Sequence, residues 1–289
     1  MVPSPYVVPF VPSTSVFKEE IFNGKVLFCT GGGSGICRGM TETILRHGAN
    51  ATIVGRKVDR LTQAAKELSE ATGRKVIAAQ GDVRHPETLA AAVKKTIEAF
   101  GRIDFVICGA AGNFLVPISG LSENGFRTVI EIDTIGTYNT IKATLPHIRA
   151  AKGAYIHVRT PYQAHVSAAK AGIDALSAVL AVEEGPHGVR SNVIAPGPIH
   201  GTEGMDRLES KGTADERAQR DMLYPSGRMG VIGDVANAAV FLFSDAALNI
   251  TGQVLPVDGG SEHLRTLVFP YPKAVLDPEG IKSMIKGKL

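Results

Sequence analysis

Val26-Leu27-Phe28-Cys29-Thr30-Gly31-Gly32-Gly33-Ser34-Gly35-Ile36 is the stretch that decides the fold. Its first four residues are an apolar run of strand length, and its glycines crowd the turn that follows. Beyond it, Met40 to His47 suits a helix ending at Gly48, and Ala51-Thr52-Ile53-Val54 is a second apolar run. Strand, glycine turn, helix and strand make one βαβ unit. Glycine allows backbone angles that a side chain forbids and lets the main chain approach a ligand closely. A helix opening at such a turn presents free N–H groups and the positive end of its dipole, which suits phosphate. A glycine-rich turn by itself is also an ordinary flexible turn. The flanking elements, and the charge that closes the second strand, favour a dinucleotide. Gly31, Gly33, Ser34, Gly35 and Ile36 are the expected pyrophosphate contacts.

The charge after the second strand selects the cofactor. A carboxylate there bonds the ribose 2′-hydroxyl of NAD, whereas a cation meets the 2′-phosphate of NADP. The chain reads Gly55-Arg56-Lys57, with Arg60 one helical turn on. This predicts NADP(H), held by Arg56 and Arg60, with Arg38 adding to the same charge.

The 289 residues, 44% of them hydrophobic, suffice for a sizeable core in one large α/β domain or two small ones. A net charge of +3, with no basic run interleaved with aromatics, argues against nucleic acid. Cys29, Cys37 and Cys108 form no CxxC pair and read as buried thiols, not a metal or disulfide site. No apolar run approaches membrane-spanning length. Residues 1–20, rich in proline, read as an N-terminal arm. Residues 21–265 read as one dinucleotide-binding domain, and 266–289 as an extension. The extension ends in Gly287-Lys288-Leu289, one residue away from the Ser-Lys-Leu peroxisomal address.

Helices are expected over Val58–Thr72, Pro86–Phe100, Leu121–Ala150 (broken near Gly120–Ser122), His165–Glu184 and Gly233–Ser244, with a helical flap over Gly204–Met222. Strands are expected over Val76–Ala79, Ile103–Cys108, Tyr155–Val158, Val189–Ile194 and Val254–Val257. This alternation predicts an α/β fold: a single Rossmann-type, doubly wound parallel sheet flanked by helices. Ligands then lie at the C-terminal strand ends, where Asp82, Val83, Ala110 to Asn113 and Pro196 to Thr202 fall. Asp82 is placed either to accept from an adenine amino group or to cap the next helix.

Thr30 to Ile36, Asp82-Val83, Ala110-Ala111-Gly112, Lys170 and Pro196-Gly197 together resemble the short-chain dehydrogenase/reductase family, over about Gly24 to Gly260. Ala110 to Leu115, Ile132-Asp133-Thr134 and Pro196 to Gly204 resemble its peroxisomal 2,4-dienoyl-CoA reductase branch. The broad family carries Tyr-x-x-x-Lys with tyrosine as proton donor, but Val166 stands four residues before Lys170. The broad family's active-site asparagine falls at Asp133, an exchange that this branch shares. Cys37 replaces a glycine of the nucleotide turn. The stretch between Val158 and Pro161 is shorter than in the family, and the segment that carries an active-site serine is missing. Either the protein has a deletion there or a stretch is omitted from the sequence.

The resemblance implies Asp133 and Lys170 as catalytic residues. Lys170 would clamp the nicotinamide ribose and Asp133 would hold a proton-delivering water. It further implies cofactor contacts from Asp82, Val83, Ala111, Gly112, Pro196, Gly197, Pro198, Ile199 and Thr202. Arg84, Asn113, Phe114, Ser122, Asn124 and Arg207 would serve an acyl-CoA substrate. His165 and Ser167 flank the site and read as structural. The implied activity is NADPH-dependent reduction of 2,4-dienoyl-CoA to 3-enoyl-CoA by a peroxisomal homo-oligomer delivered by an import receptor. The rival readings are a 3-oxoacyl or other carbonyl reductase, and an NADP-binding sensor without catalysis.

Overall fold

In the computed structural model, which describes residues 7–114, 116–158, 164–202 and 224–263, seven parallel strands form one sheet in the order β3-β2-β1-β4-β5-β6-β9. The first apolar run becomes β1 (Val26–Thr30), buried along its whole length. The following helix, α1 (Gly35–Arg46), starts five residues before Met40, where the sequence pattern first shows it. Its opening turn is too small and polar to register as an apolar stripe. Next come β2 (Asn50–Gly55), α2 (Val58–Thr72), β3 (Val76–Gln80), α3 (Pro86–Phe100) and β4 (Phe105–Cys108). β4 is two residues shorter than the expected Ile103–Cys108, because Asp104 is taken by other partners. Its Oδ2 accepts from the Val26 N–H (3.0 Å) and from Arg102 Nε (2.8 Å), tying down the start of β1.

The expected helix after Gly120 is α4 (Glu123–Ile130) and α5 (Gly136–Ala151), joined without a break by a π-helical turn at Glu131–Ile135. Then follow β5 (Ala154–Val158), α6 (Ala164–Glu184), β6 (Arg190–Pro196), a small parallel pair β7 (Ile199–His200) and β8 (Gly230–Val231), α7 (Ile232–Phe243) and β9 (Val254–Val257). β6 begins and ends later than expected and carries the chain through Pro196.

Two cores cover the two faces of the sheet. On one, Met40, Ile44 and Leu45 of α1 meet Val235, Ala239 and Val240 of α7 over Leu27, Ile107 and Ile194. Gly39 permits this crossing, since a methyl group there would collide with the Ile232 side chain. On the other, Leu89, Val93, Ile141 and Ile148 cover Phe28, Val106 and Tyr155. The expectation of no membrane-length apolar segment is corrected in one respect: Ala164–His187 is long and apolar enough by length and composition alone. It is the core helix on β6, and it buries Lys170 and Glu184.

The described part of the arm is docked. Val8 N–H donates to Ser226 O, Asn237 Nδ2 to Val11 O, and Ser13 Oγ lies 2.9 Å from His47 Nε2. The expected flap over Gly204–Met222, Arg207, and the C-terminal tripeptide lie outside the described residues.

Candidate active site

β1 lies between β2 and β4, so successive crossovers leave it in opposite directions and open a crevice at its C-terminal end. The glycine turn lies in that crevice. Thr30 Oγ1 accepts from the Gly109 and Ala110 N–H groups (3.1 and 3.3 Å), binding the end of β1 to the loop after β4. Gly31 has φ +73°, and a methyl group on it would stand 2.8 Å from Gly109 O. The two loops can approach this closely only with glycine there. Gly35, at φ +57°, has nothing within 4 Å of such a methyl group, so the space over the helix start is open. Ser34 begins α1 without using its hydroxyl as a cap. An open cradle, spare N–H groups and a spare hydroxyl fit a pyrophosphate.

The loop from Gly109 to Phe114 leads to the second part of the site. The Gly112 N–H donates to Asp133 Oδ1 at 2.8 Å. Asp133 sits within the π-helical turn, where one extra residue per turn aims its side chain at the loop. Its other oxygen, Oδ2, is 2.8 Å from Lys170 Nζ of α6, an ion pair with both side chains at most 4% exposed. That contact is short in distance but off the direction of a hydrogen bond, so Oδ2 keeps an unmet acceptor. Thr134 Oγ1 donates to Ala169 O and fastens the turn to α6 beside the pair. Burial chiefly, with the Lys170 charge, lowers the His157 pKa to about 3, and the ring's Nε2 lies 3.1 Å from Ser191 Oγ.

Val166, in the place of the tyrosine, is buried against Val129 and Ala169. Residues 159–163, Arg-Thr-Pro-Tyr-Gln, connect β5 to α6, lie outside the described residues and contain no serine. His165, expected to be structural, is fully buried, stacks on Phe114 at 4.6 Å between ring centres, and makes no well-directed hydrogen bond at either ring nitrogen among the described residues. Burial lowers its pKa, against smaller opposing effects of the Phe114 carbonyl and the Asp133 carboxylate. The Phe114–His165 stack spans 51 positions, and no local pattern signals it.

The other expected residues divide into groups. Arg56 is exposed at the end of β2 and near enough to Asp82 to help hold its carboxyl down. Arg60 is exposed on α2. Arg38 does not join them: it pairs with Glu67 at 2.7 Å. Arg84 grips Asp82 through Nε and Nη2, and this hydrogen bonding is the main cause that brings the Asp82 pKa to about 2. The expected adenine contact and the expected substrate arginine therefore hold each other. The Val83 side chain belongs to the core, and only its backbone faces outward elements, Asn139 Nδ2 donating to its carbonyl. Ala111 and Asn113 are exposed on the loop beside the pair. Pro196 to Thr202 runs off the end of β6, with Gly197 tight against Asp258 and Thr202 Oγ1 donating to Ile199 O. Ser122 caps α4 by accepting from the Gly125 N–H, and Asn124 is exposed on that helix. Ser122 also borders an open, mainly apolar groove of about 610 Å³ with Leu121, Phe126 and Ile130. No group of three or more candidate metal ligands occurs among the described residues.

Comparison with known proteins places this geometry in context. A family model described as enoyl-(acyl carrier protein) reductase matches residues 31–262. The chain is 46% identical over 272 residues to a peroxisomal 2,4-dienoyl-CoA reductase, (3E)-enoyl-CoA-producing, of Saccharomyces cerevisiae, covering 90% of this chain and 92% of that one. It is 43% identical over 256 residues to the peroxisomal 2,4-dienoyl-CoA reductase of Danio rerio, covering 86% and 85%. Among solved structures, a short chain dehydrogenase from Bacillus anthracis superposes with TM-score 0.73 at 34% identity, covering 86% of this chain and 99% of that one. A carveol dehydrogenase from Mycobacterium avium in complex with NAD gives TM-score 0.75 at 26% identity, covering 83% and 98%.

Proposed function

This chain belongs to the short-chain dehydrogenase/reductase family, and we propose that it is an NADPH-dependent reductase of 2,4-dienoyl-CoA thioesters, yielding 3-enoyl-CoA. The observation that carries the reading is the buried Lys170–Asp133 pair at the sheet's crevice, with Val166 where a carbonyl-reducing member has its acid. A hydroxyl-forming reduction needs a proton donor at the carbonyl oxygen, and valine supplies none.

NADPH, when bound, supplies a hydride to Cδ of the conjugated thioester. Gly31, Gly33, Ser34, Gly35 and Ile36 hold its pyrophosphate, Arg56 and Arg60 its 2′-phosphate. Asp82, Val83, Ala111, Gly112 and the segment from Pro196 to Thr202 enclose the rest. Lys170 orients the nicotinamide ribose, and its charge favours the dienolate that forms as two double-bond pairs shift toward the thioester oxygen. Asp133 is anchored by Gly112 and orients a water through its unmet acceptor. That water gives a proton to Cα and takes one back from bulk solvent, the oxygen returns its electron pair, and the remaining double bond lies between Cβ and Cγ. Asn113 and Phe114 border the acyl chain. Arg84, Ser122, Asn124 and Arg207 serve the CoA end, Arg84 after exchanging its hold on Asp82 for a phosphate.

The same reading makes 21–265 the catalytic unit, with 1–20 as arm and 266–289 as extension. The enzyme works as a homo-oligomer in peroxisomal β-oxidation, as the names of its relatives suggest for the compartment. The test is NADPH oxidation with 2,4-hexadienoyl-CoA beside a 3-oxoacyl-CoA. Turnover of the dienoyl thioester alone supports the reading. Turnover of the 3-oxoacyl thioester alone refutes it, and so does NADPH binding without turnover of either.

A further inference from the structure

The reaction proposed above leaves one requirement unassigned: a donor at the thioester oxygen while negative charge gathers there. Among the described residues the usual donors are not found: Val166 stands at the place of the tyrosine. Asp133 accepts only, and Lys170 is shared between Asp133 and the nicotinamide ribose.

We propose that His165 is a further catalytic residue, whose ring N–H holds the thioester oxygen of the bound substrate. Three observations carry this, none of them needed for packing alone. First, the ring is fully buried yet makes no well-directed hydrogen bond at either nitrogen among the described residues; the Phe114 carbonyl acts on it only weakly, so a better acceptor on a ligand would draw the N–H away. Second, its face is fixed against Phe114, the residue expected to border the acyl chain, at an interplanar angle of 24°. Stacking fixes the plane in which the N–H points. Third, His165 lies near enough to Asp133 to feel its charge and one residue before Val166. The donor therefore comes from the same end of α6 as the tyrosine it replaces. A hydrogen-bond donor suffices there. The negative charge returns from oxygen to carbon when Cα takes its proton, so His165 neither gives up nor gains a proton in the cycle. This role rests on the dienoyl-CoA reading.

The experiment uses His165→Phe, which keeps a stacked ring without a donor, and His165→Gln, which restores one. The first readout needs no turnover: the ultraviolet absorption of 2,4-hexadienoyl-CoA bound with oxidised NADP, which cannot reduce it. A donor on the oxygen polarises the conjugated chain and moves its band to longer wavelength. The expected result is a red shift in the parent and in His165→Gln, lost in His165→Phe. The second readout is kcat, expected to fall about 100-fold in His165→Phe, as for loss of one oxyanion donor, and to recover in part in His165→Gln. NADPH affinity and circular dichroism should match the parent in both. Equal red shifts in the parent and His165→Phe, or a kcat for His165→Phe within twofold of the parent, overturn the assignment and leave His165 as packing. A dienoyl thioester that does not bind to the parent at all overturns the substrate reading instead, and this role with it.

Discussion

Removing either half of the Lys170–Asp133 pair should destabilise the protein more than removing both. The side chains are 4% and 1% exposed and 2.8 Å apart. In Lys170→Met the Asp133 charge stays buried with one hydrogen bond, from Gly112. In Asp133→Asn the amide oxygen still serves Gly112, but the Lys170 charge loses its counterion. Breaking a buried pair from one side costs about 3–5 kcal/mol. Lys170→Met and Asp133→Asn should both lie in that range. The double variant buries neither charge and keeps the Gly112 bond, so a loss of only about 1–2 kcal/mol is expected by the same account. The coupling between the two sites is then about 4 kcal/mol or more by the same account. Urea unfolding of the cofactor-free protein, followed by circular dichroism at one fixed protein concentration, measures all four corners of the cycle. Single variants within about 1 kcal/mol of the parent, or a double variant equal to the sum of the singles, would refute the argument. Neither outcome depends on activity, so the result separates the physics of the pair from its catalytic use.

Two other outcomes are expected. Arg56→Ala should weaken NADPH binding about tenfold to a hundredfold, the worth of one charge-assisted hydrogen bond, and leave NADH binding unchanged in a fluorescence titration. Equal losses for both cofactors would remove Arg56 from the 2′-phosphate. The second concerns acid stability. Asp82 has a pKa of about 2 in the fold, chiefly through its hydrogen bonds from Arg84, against about 3.9 in an unfolded chain. A depressed carboxyl pKa stabilises the fold above the unfolded value, and that contribution disappears as pH falls from about 4 to about 2. The parent should therefore be more stable than Arg84→Met at pH 6, and the gap in unfolding free energy should close across that window. A gap that stays constant to pH 2 would mean that the bidentate contact is not made in solution.

The sheet was legible in the sequence because each strand is a short apolar run and each helix between them shows its own stripe. Val58–Thr72, Pro86–Phe100 and Val254–Val257 match the expected bounds residue for residue. What escaped lies where structure is set by distant partners. The start of β4 is decided by Asp104 turning to Val26 and Arg102, a bargain struck across the sheet. The π-helical turn escaped because one inserted residue leaves helical periodicity nearly intact, although it is what aims Asp133 at Gly112. Charge is legible in the sequence, but the partner of each charge within the fold is not: Arg38 pairs with Glu67, and Arg84 with Asp82. The motif residues Asp133 and Lys170 stood out by chemistry, whereas His165 did not. A histidine at a helix start has no distinctive spacing, and only the fold brings its ring against Phe114.

The departure at Val166 becomes coherent once the destination of the proton is considered. Reducing a carbonyl puts hydride on carbon and the proton on the adjoining oxygen, so the acid must stand at that oxygen and give its proton away. Reducing a conjugated dienoyl thioester puts hydride on Cδ and the proton on Cα. The oxygen carries charge only in passing and needs a hydrogen bond, not an acid. A phenol that can transfer its proton there gives nothing essential to the second reaction, while a cation beside the cofactor and an anchored carboxylate remain useful. The chain keeps Lys170 and Asp133 in a buried pair, fills the tyrosine's place with valine packed on Val129 and Ala169, and holds an imidazole next to it. Restoring the phenol by Val166→Tyr should therefore not raise dienoyl-CoA turnover. A larger side chain in that apolar contact instead strains the helix that carries Lys170.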